Sequence, residues 1–316
     1  MKMNRIVCIA LLLVFIVPGM VFAAGAREER EEHLIGFVVK ALDQEFWFAV
    51  RDGAMAADED FTDVRVMLDG AAAETLVEEQ IALVEDMIVR GASALVIAPT
   101  APVQLIPVME RAIADGIPVL LVDTDVDDWE AKTTFIGTDN RTAASVAGKF
   151  MAENLSDGSR IAILEGIPGV ATSEHRVEGF KEGLASVGKD IEIVASLTAR
   201  WDRAEGVTVM EDIITRHGAI DAVFAANDQM ALGAIEAIRG AGISFDDIMV
   251  VGFDGTPGAA QAILNGEMTA SVAQMPFMMG YMGVEAAREV ILGREIDRVI
   301  DTGADLVTKE NAESYL

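Results

Sequence analysis

The sequence is poor in the residues that carry much of protein chemistry. Among 316 residues there are one cysteine and three histidines. Cys8 lies inside an apolar run near the N-terminus, so it has no disulfide partner and does not stand where a lipid would be attached. His33, His175 and His217 are isolated, without an H-x-x-x-H or C-x-x-C pattern beside them, and no metal site is expected. Positive charge is scarce as well, with 24 Lys and Arg against 52 Asp and Glu and a formal net charge of −28. That charge repels nucleic-acid phosphate and anionic lipid, and no basic stripe offsets it, which removes nucleic-acid and membrane-surface partners. Cofactor fingerprints are missing too. No G-x-G-x-x-G follows the first strand-like run, and neither G-x-x-x-x-G-K-[ST] nor G-x-S-x-G occurs, so no cofactor is expected. The acidic run Asp123, Asp125, Asp127, Asp128 invites a calcium reading, but the glycine required at its sixth place is Asp128 and the glutamate at its twelfth is Thr134.

What is present begins with a location. Lys2 and Arg5 precede the apolar residues 6–17, Pro18 and Gly19 break the run, and Val21, Phe22 and Ala23 offer the small residues of a cleavage site. Residues 1–23 therefore read as a Sec signal peptide, and the mature chain is expected to begin between residues 24 and 27 in a periplasm-like space. The run is shorter than the roughly 20 apolar residues a membrane anchor needs. Beyond it, 52% hydrophobic and 24% charged residues describe a well-cored globule long enough for two domains.

From Leu34 onward, short apolar runs alternate with longer amphipathic stretches. Strands are expected at LIGFVV, VRVML, ALVIA, IPVLLV and TTFIG, then at RIAIL, IEIVASL, AVFAA, IMVVGF and TASVA. Helices are expected over residues 43–58, 74–90, 103–115, 142–155, 173–187, 203–216, 231–241, 256–265 and 276–292. Ten such strands exceed what one compact sheet usually holds, so the expected fold is α/β with two doubly wound parallel-sheet lobes. The break falls near Thr138-Asp139-Asn140. Met275, Met278, Met279 and Met282 recur at helical spacing and read as core packing.

In open α/β sheets ligands bind outside the carboxyl ends of the strands. The residues expected there are Lys40, Pro99-Thr100, Asp123, Glu165-Gly166, Asn227 and Asp254, several of which can bond hydroxyls. Within residues 222–237, AVFAANDQMALGAIEA, Asn227 is expected to face a ligand and Asp228 to cap the following helix. Phe46, Trp47 and Trp201 could supply aromatic faces for the C–H side of a sugar, though core packing suits both tryptophans equally. Asp43 or Gln44 reads first as a helix cap.

The segments ANDQMALGA (226–234), VVGFDGTP (250–257), FWFAVRDGA (46–54) and SVAQMP (271–276) resemble the ribose and allose members of the periplasmic sugar-binding family, in order along essentially the whole mature chain. The resemblance implies a type I solute-binding protein, with two lobes joined by a three-segment hinge that close on one monosaccharide or related polyol. It also implies an ABC permease as the membrane partner. A monomer is expected, and the alternative role is a sugar sensor whose closed form docks on a chemoreceptor or sensor kinase. Carried over by position, its ligand contacts fall on Lys40, Gln44, Phe46, Trp47, Asp123, Glu174, Arg176, Trp201, Asn227, Asp254 and Gln274. One lobe would comprise residues 33–137 plus 275–303, and the other residues 138–274 plus 304–316. Thr124 and Glu174 stand where ribose binders have arginines. Lys40, Trp47, Glu174 with Arg176, and Trp201-Asp202-Arg203 follow the allose type, while Gln44-Glu45 replaces the usual Asn-Pro of both. An allose- or psicose-like hexose is thus expected before ribose. A repressor of related architecture would need a helix-turn-helix where the signal peptide stands. A secreted glycosidase using Asp123 and Asp254 would need a catalytic element that the resemblance does not supply, so no enzyme is expected.

Overall fold

The computed structural model describes residues 32–126 and 128–316, so the signal-peptide expectation, Cys8 and Asp127 lie outside the described residues. The first sheet holds β1 (His33–Ala41), β2 (Val64–Ala71), β3 (Ala94–Ile97), β4 (Val119–Val122), β5 (Thr134–Gly137) and the distant β11 (Val299–Asp301). Its order is β11-β5-β4-β3-β1-β2, and every neighbouring pair is parallel. The second sheet holds β6 (Ser159–Glu165), β7 (Ile191–Thr198), β8 (Ala222–Ala225), β9 (Met249–Asp254), β10 (Ala270–Ala273) and β12 (Asp305–Val307). Its order β12-β10-β9-β8-β6-β7 repeats the winding of the first, with β12 antiparallel to β10.

The inner strands are apolar at every position because helices cover both faces of each sheet. All four residues of β3, β4, β8 and β10 are buried. In β1 the alternation of side chains feeds two cores. Ile35, Phe37 and Val39 join one core with α1 (Glu45–Asp60) and α9 (Pro276–Ile291), and Val38 joins the other with α2 (Val77–Val89) and α3 (Pro102–Ala114). The second lobe buries one continuous core under α4 (Asn140–Asn154), α5 (Ala171–Ser186), α6 (Arg203–His217), α7 (Asp228–Gly240) and α8 (Pro257–Leu264). Glycines bring the paired helices close. A Cβ at Gly53 of α1 would collide with the Phe277 carbonyl of α9, and one at Gly148 of α4 with the Phe180 carbonyl of α5.

The chain passes between the sheets three times, after β5, after β10 and between β11 and β12. The last passage falls at the expected place, but the two short strands that flank it are not among those expected. Both short strands carry exposed positions, Val299 and Asp301 in β11 and Asp305 in β12, so hydropathy does not mark them. Helix starts shift as well. α2 begins at Val77 rather than residue 74, leaving Glu74 in a loop, and α7 begins at Asp228 rather than residue 231.

Candidate functional site

Both sheets have the order 2-1-3-4-5 when the added edge strand is set aside, so each has a switch point, between β1 and β3 in the first and between β6 and β8 in the second. Crevices form outside the carboxyl ends of strands at such points. Here they face one another across a shared cavity. The first lobe lines it with Lys40, Gln44, Phe46, Trp47, Glu74 and Asp123, and the second with Thr172, Arg176, Trp201, Asn227 and Asp254.

On the first lobe, Lys40 ends β1 with its ammonium 3.0 Å from Asp123 Oδ2, both side chains buried. Asp123 follows β4 in a left-handed conformation, φ +60°, and also accepts from Thr124 Oγ1 at 2.7 Å. Glu74 stands beside this pair. Gln44 Nε2 and Trp47 Nε1 both donate to its Oε1, each at 2.7 Å. Gln44 occupies the cap position of α1 but makes no side-chain capping bond. Burial holds the Glu74 carboxyl above its ordinary value, against the pull of the Lys40 charge and the Trp47 hydrogen bond. Phe46 meets Trp47 edge to face, 5.0 Å between ring centroids, which fixes the indole.

The second lobe is built around Arg176 of α5. Its Nε donates to Asn140 Oδ1 at 2.7 Å, and its Nη1 to the Ala226 carbonyl at 2.8 Å and to Asp254 Oδ1 at 3.2 Å. The guanidinium carbon lies 4.0 Å from the centre of the Phe253 ring and 5.5 Å from that of Trp201. Gln274 Nε2 donates to the same Asp254 oxygen at 2.7 Å. Burial, helped by nearby Asp228, pushes the Asp254 carboxyl up to about 8 in spite of Arg176. Trp201 and Asp254 both have positive φ, +67° and +124°, an unfavourable backbone for such residues worth roughly 1–3 kcal/mol each. The turn at Trp201 lays the indole over Gly166, where a Cβ would strike the ring.

Of the residues expected at a site, nine line this cavity: Lys40, Gln44, Phe46, Trp47, Asp123, Arg176, Trp201, Asn227 and Asp254. Two do not. Glu174 is exposed, because α5 presents Thr172 and Arg176, four residues apart, on its inner face and turns the residue midway between them outward. Gln274 is buried behind Asp254 and braces it, its Oε1 without a partner. The capping role expected of Asp228 is corrected, while Asn227 lines the cavity and takes that role as well. Asn227 is itself the cap, accepting from the Met230 amide at 2.9 Å and donating to the Trp201 carbonyl at 3.2 Å. Asp228 is fully buried and ties α7 to its neighbours, accepting from the Thr256 amide at 2.8 Å, Thr256 Oγ1 at 3.0 Å and Ser271 Oγ at 2.6 Å. These donors offset part of the burial that pushes its carboxyl up to about 6.

Two lining residues, Glu74 and Thr172, were not anticipated. Strand β2 runs three residues past the expected end, to Ala71, which makes Glu74 a strand-end residue like the others. Thr172 shares a helix face with Arg176, and its buried Oγ1 has no partner among the described residues.

As a whole the cavity offers planar amides, carboxylates, a guanidinium and an ammonium around two indoles, which suits a hydroxyl-rich ligand with an apolar C–H face. The acidic run after β4 makes other contacts: Asp123 binds Lys40, and Asp125 binds Lys132 at 2.7 Å. Among the described residues no group of His, Cys, Asp and Glu is arranged to hold a metal ion.

A family model described as periplasmic binding protein domain matches residues 35–295. The ribose import binding protein of Escherichia coli is 34% identical over 276 residues, covering 87% of this chain and 90% of that protein. The D-ribose/D-allose-binding protein of Pseudomonas aeruginosa is 32% identical over 296 residues, 90% of this chain and 92% of its own. A solved ABC transporter periplasmic solute-binding protein from Actinobacillus succinogenes, with bound D-allose, matches with a TM-score of 0.83 and 31% identity over 90% of this chain and 100% of that one.

Proposed function

The chain belongs to the periplasmic binding protein family, in its ribose/allose sugar-binding branch, and from this we propose that it captures a monosaccharide or related polyol between its lobes and delivers it to an ABC permease. The observation that carries the reading is the division of one polar and aromatic shell between two lobes. Neither half encloses a ligand alone, so a sugar that touches both stabilises the closed arrangement over an open one. Closure also joins Glu45 of α1 to the Gly258 amide at the start of α8, 3.2 Å apart. Residues 1–23 serve as the leader that carries the chain to the periplasm.

Lys40 and Arg176 are each held by an acidic side chain, so they donate to ligand hydroxyls from fixed positions. Trp47 and Trp201 pack against the ring, one from each lobe. An allose- or psicose-like hexose is favoured over ribose on the strength of Lys40, Trp47 and Thr124, whose hydroxyl bonds Asp123. The solved relative holding D-allose supports this choice. Glu174 no longer contributes to it, being exposed.

Thermal unfolding against D-allose, D-psicose, D-ribose and myo-inositol tests the reading, since a ligand that binds only the folded chain raises Tm with its concentration. D-Allose or D-psicose is expected to raise it most. A ribose shift without either hexose would reverse the subtype, and no shift with any sugar would overturn the function.

A further inference from the structure

Each buried cation at the cleft already has a carboxylate: Lys40 has Asp123 and Arg176 has Asp254. Glu74 has only neutral donors, Gln44 Nε2 and Trp47 Nε1, and both converge on the same oxygen. A carboxylate oxygen accepts about two hydrogen bonds through its two lone pairs, so Oε1 is saturated. Its partner Oε2 receives no hydrogen bond from the described residues, although Glu74 lines the cavity and is half-buried. The side chain is also held in place. Two donors on one oxygen fix the carboxyl plane, and the Thr100 hydroxyl binds the Glu74 carbonyl and anchors the loop beneath it.

We propose that Glu74 is a specificity-determining residue of the cleft, its Oε2 accepting a hydrogen bond from one ligand hydroxyl, with Gln44 as the positioning residue that aims it. This rests on the sugar-binding reading above and adds to it the group that selects among sugars. An acceptor in a fixed direction accepts from a hydroxyl of one configuration and leaves its epimer unpaired. Unpaired polar groups in a closed site are what make such discrimination large. Gln44 is long enough to reach Glu74, and its Nε2 is committed there rather than to the ligand. Asparagine at position 44, one methylene shorter, would not span the same gap.

Calorimetric titration of the mature chain with D-allose, D-psicose, D-ribose and myo-inositol tests this, using E74Q, Q44N and the double variant. E74Q places an amide where two donors converge, and its Kd for the preferred sugar is expected to rise about tenfold to a hundredfold. Q44N is expected to weaken binding by about threefold to tenfold in the native background and to add nothing when residue 74 is already Gln. The losses are expected to be unequal across the four probes, so that their order changes. Three results would overturn the proposal: a Kd within twofold of native for E74Q, an equal loss for all probes, or additive effects in the double variant. A variant whose unliganded Tm fell by many degrees would show Glu74 to be structural and would count against it too. If none of the probes bound the native chain, the sugar-binding reading itself would fall, whereas normal native binding with an indifferent E74Q defeats only the role of Glu74.

Discussion

The two lobes are wound alike yet build their walls of the cleft differently. In both, the carboxyl ends of a 2-1-3-4-5 sheet supply the polar groups, and glycines let paired helices meet closely. The second lobe gathers its wall around one side chain. Arg176 joins Asn140 from α4, the carbonyl after β8 and the carboxylate that ends β9, while Gln274 after β10 donates to the same carboxylate oxygen. The first lobe works by pairs, Lys40 with Asp123 and Gln44 and Trp47 with Glu74. A hub is rigid because every spoke constrains the others. Pairs are more independent, and one of them keeps a carboxylate oxygen without a donor among the described residues. The second wall is thus one linked framework, and the first is a set of separate groups, among them the Glu74 carboxyl proposed above to select the ligand.

The sharpest way to break this comparison is to remove the cation from each wall. Arg176→Ala would leave Asp254 buried without its cation and Asn140 and the Ala226 carbonyl without their donor, a loss of about 3–5 kcal/mol in unfolding free energy. Lys40→Ala leaves Asp123 still bonded to Thr124, and about 2 kcal/mol is expected. Urea unfolding of the two unliganded variants measures both. Equal losses would mean that Arg176 is no hub and that the walls are alike.

A smaller effect is expected at Asn227, which belongs to the rigid wall. It caps α7 through Met230 and steadies Trp201 through its carbonyl. Asn227→Ala is expected to cost about 1 kcal/mol of unliganded stability besides weakening the ligand. Unchanged unliganded unfolding with lost binding would instead make Asn227 a ligand contact alone, the role its place in the sequence first suggests.

That turn shows where sequence reasoning carries and where it stops. The rule that strand ends line the cleft found Lys40, Asp123, Asn227 and Asp254, because buried strands are continuous apolar runs whose ends are visible. It missed Glu74 because β2 is an edge strand, only partly buried, and its last residues Asp69, Gly70 and Ala71 do not read as strand. Glu174, carried over from the resemblance together with Arg176, does not line the cavity. Which side of a helix faces inward depends on its phase, and the helix turns residue 174 about 200° from Thr172 at about 100° per residue. The capping role expected of Asp228 falls to Asn227 because α7 starts at Asp228, three residues before the expected start, a boundary that hydropathy does not resolve. Strands β11 and β12 are three residues each and partly exposed, too short for any periodicity.

The finest division of labour between the walls falls on Thr172. Among the described residues it is the one lining residue of the second lobe outside the Arg176 hub and the turn at Asn227, and its buried hydroxyl has no partner among them. A buried hydroxyl that bonds nothing is unfavourable in the unliganded chain and becomes satisfied only when a ligand offers an acceptor or donor. Thr172→Val keeps the branched shape and removes the hydroxyl. Unliganded stability should then hold or rise slightly, while affinity falls by about threefold to tenfold, the worth of one neutral hydrogen bond. Calorimetry alongside thermal unfolding separates the two. If affinity is unchanged, Thr172 only fills space and the second wall is framework throughout; if it falls, that wall also takes part in reading the ligand, opposite Glu74 on the first.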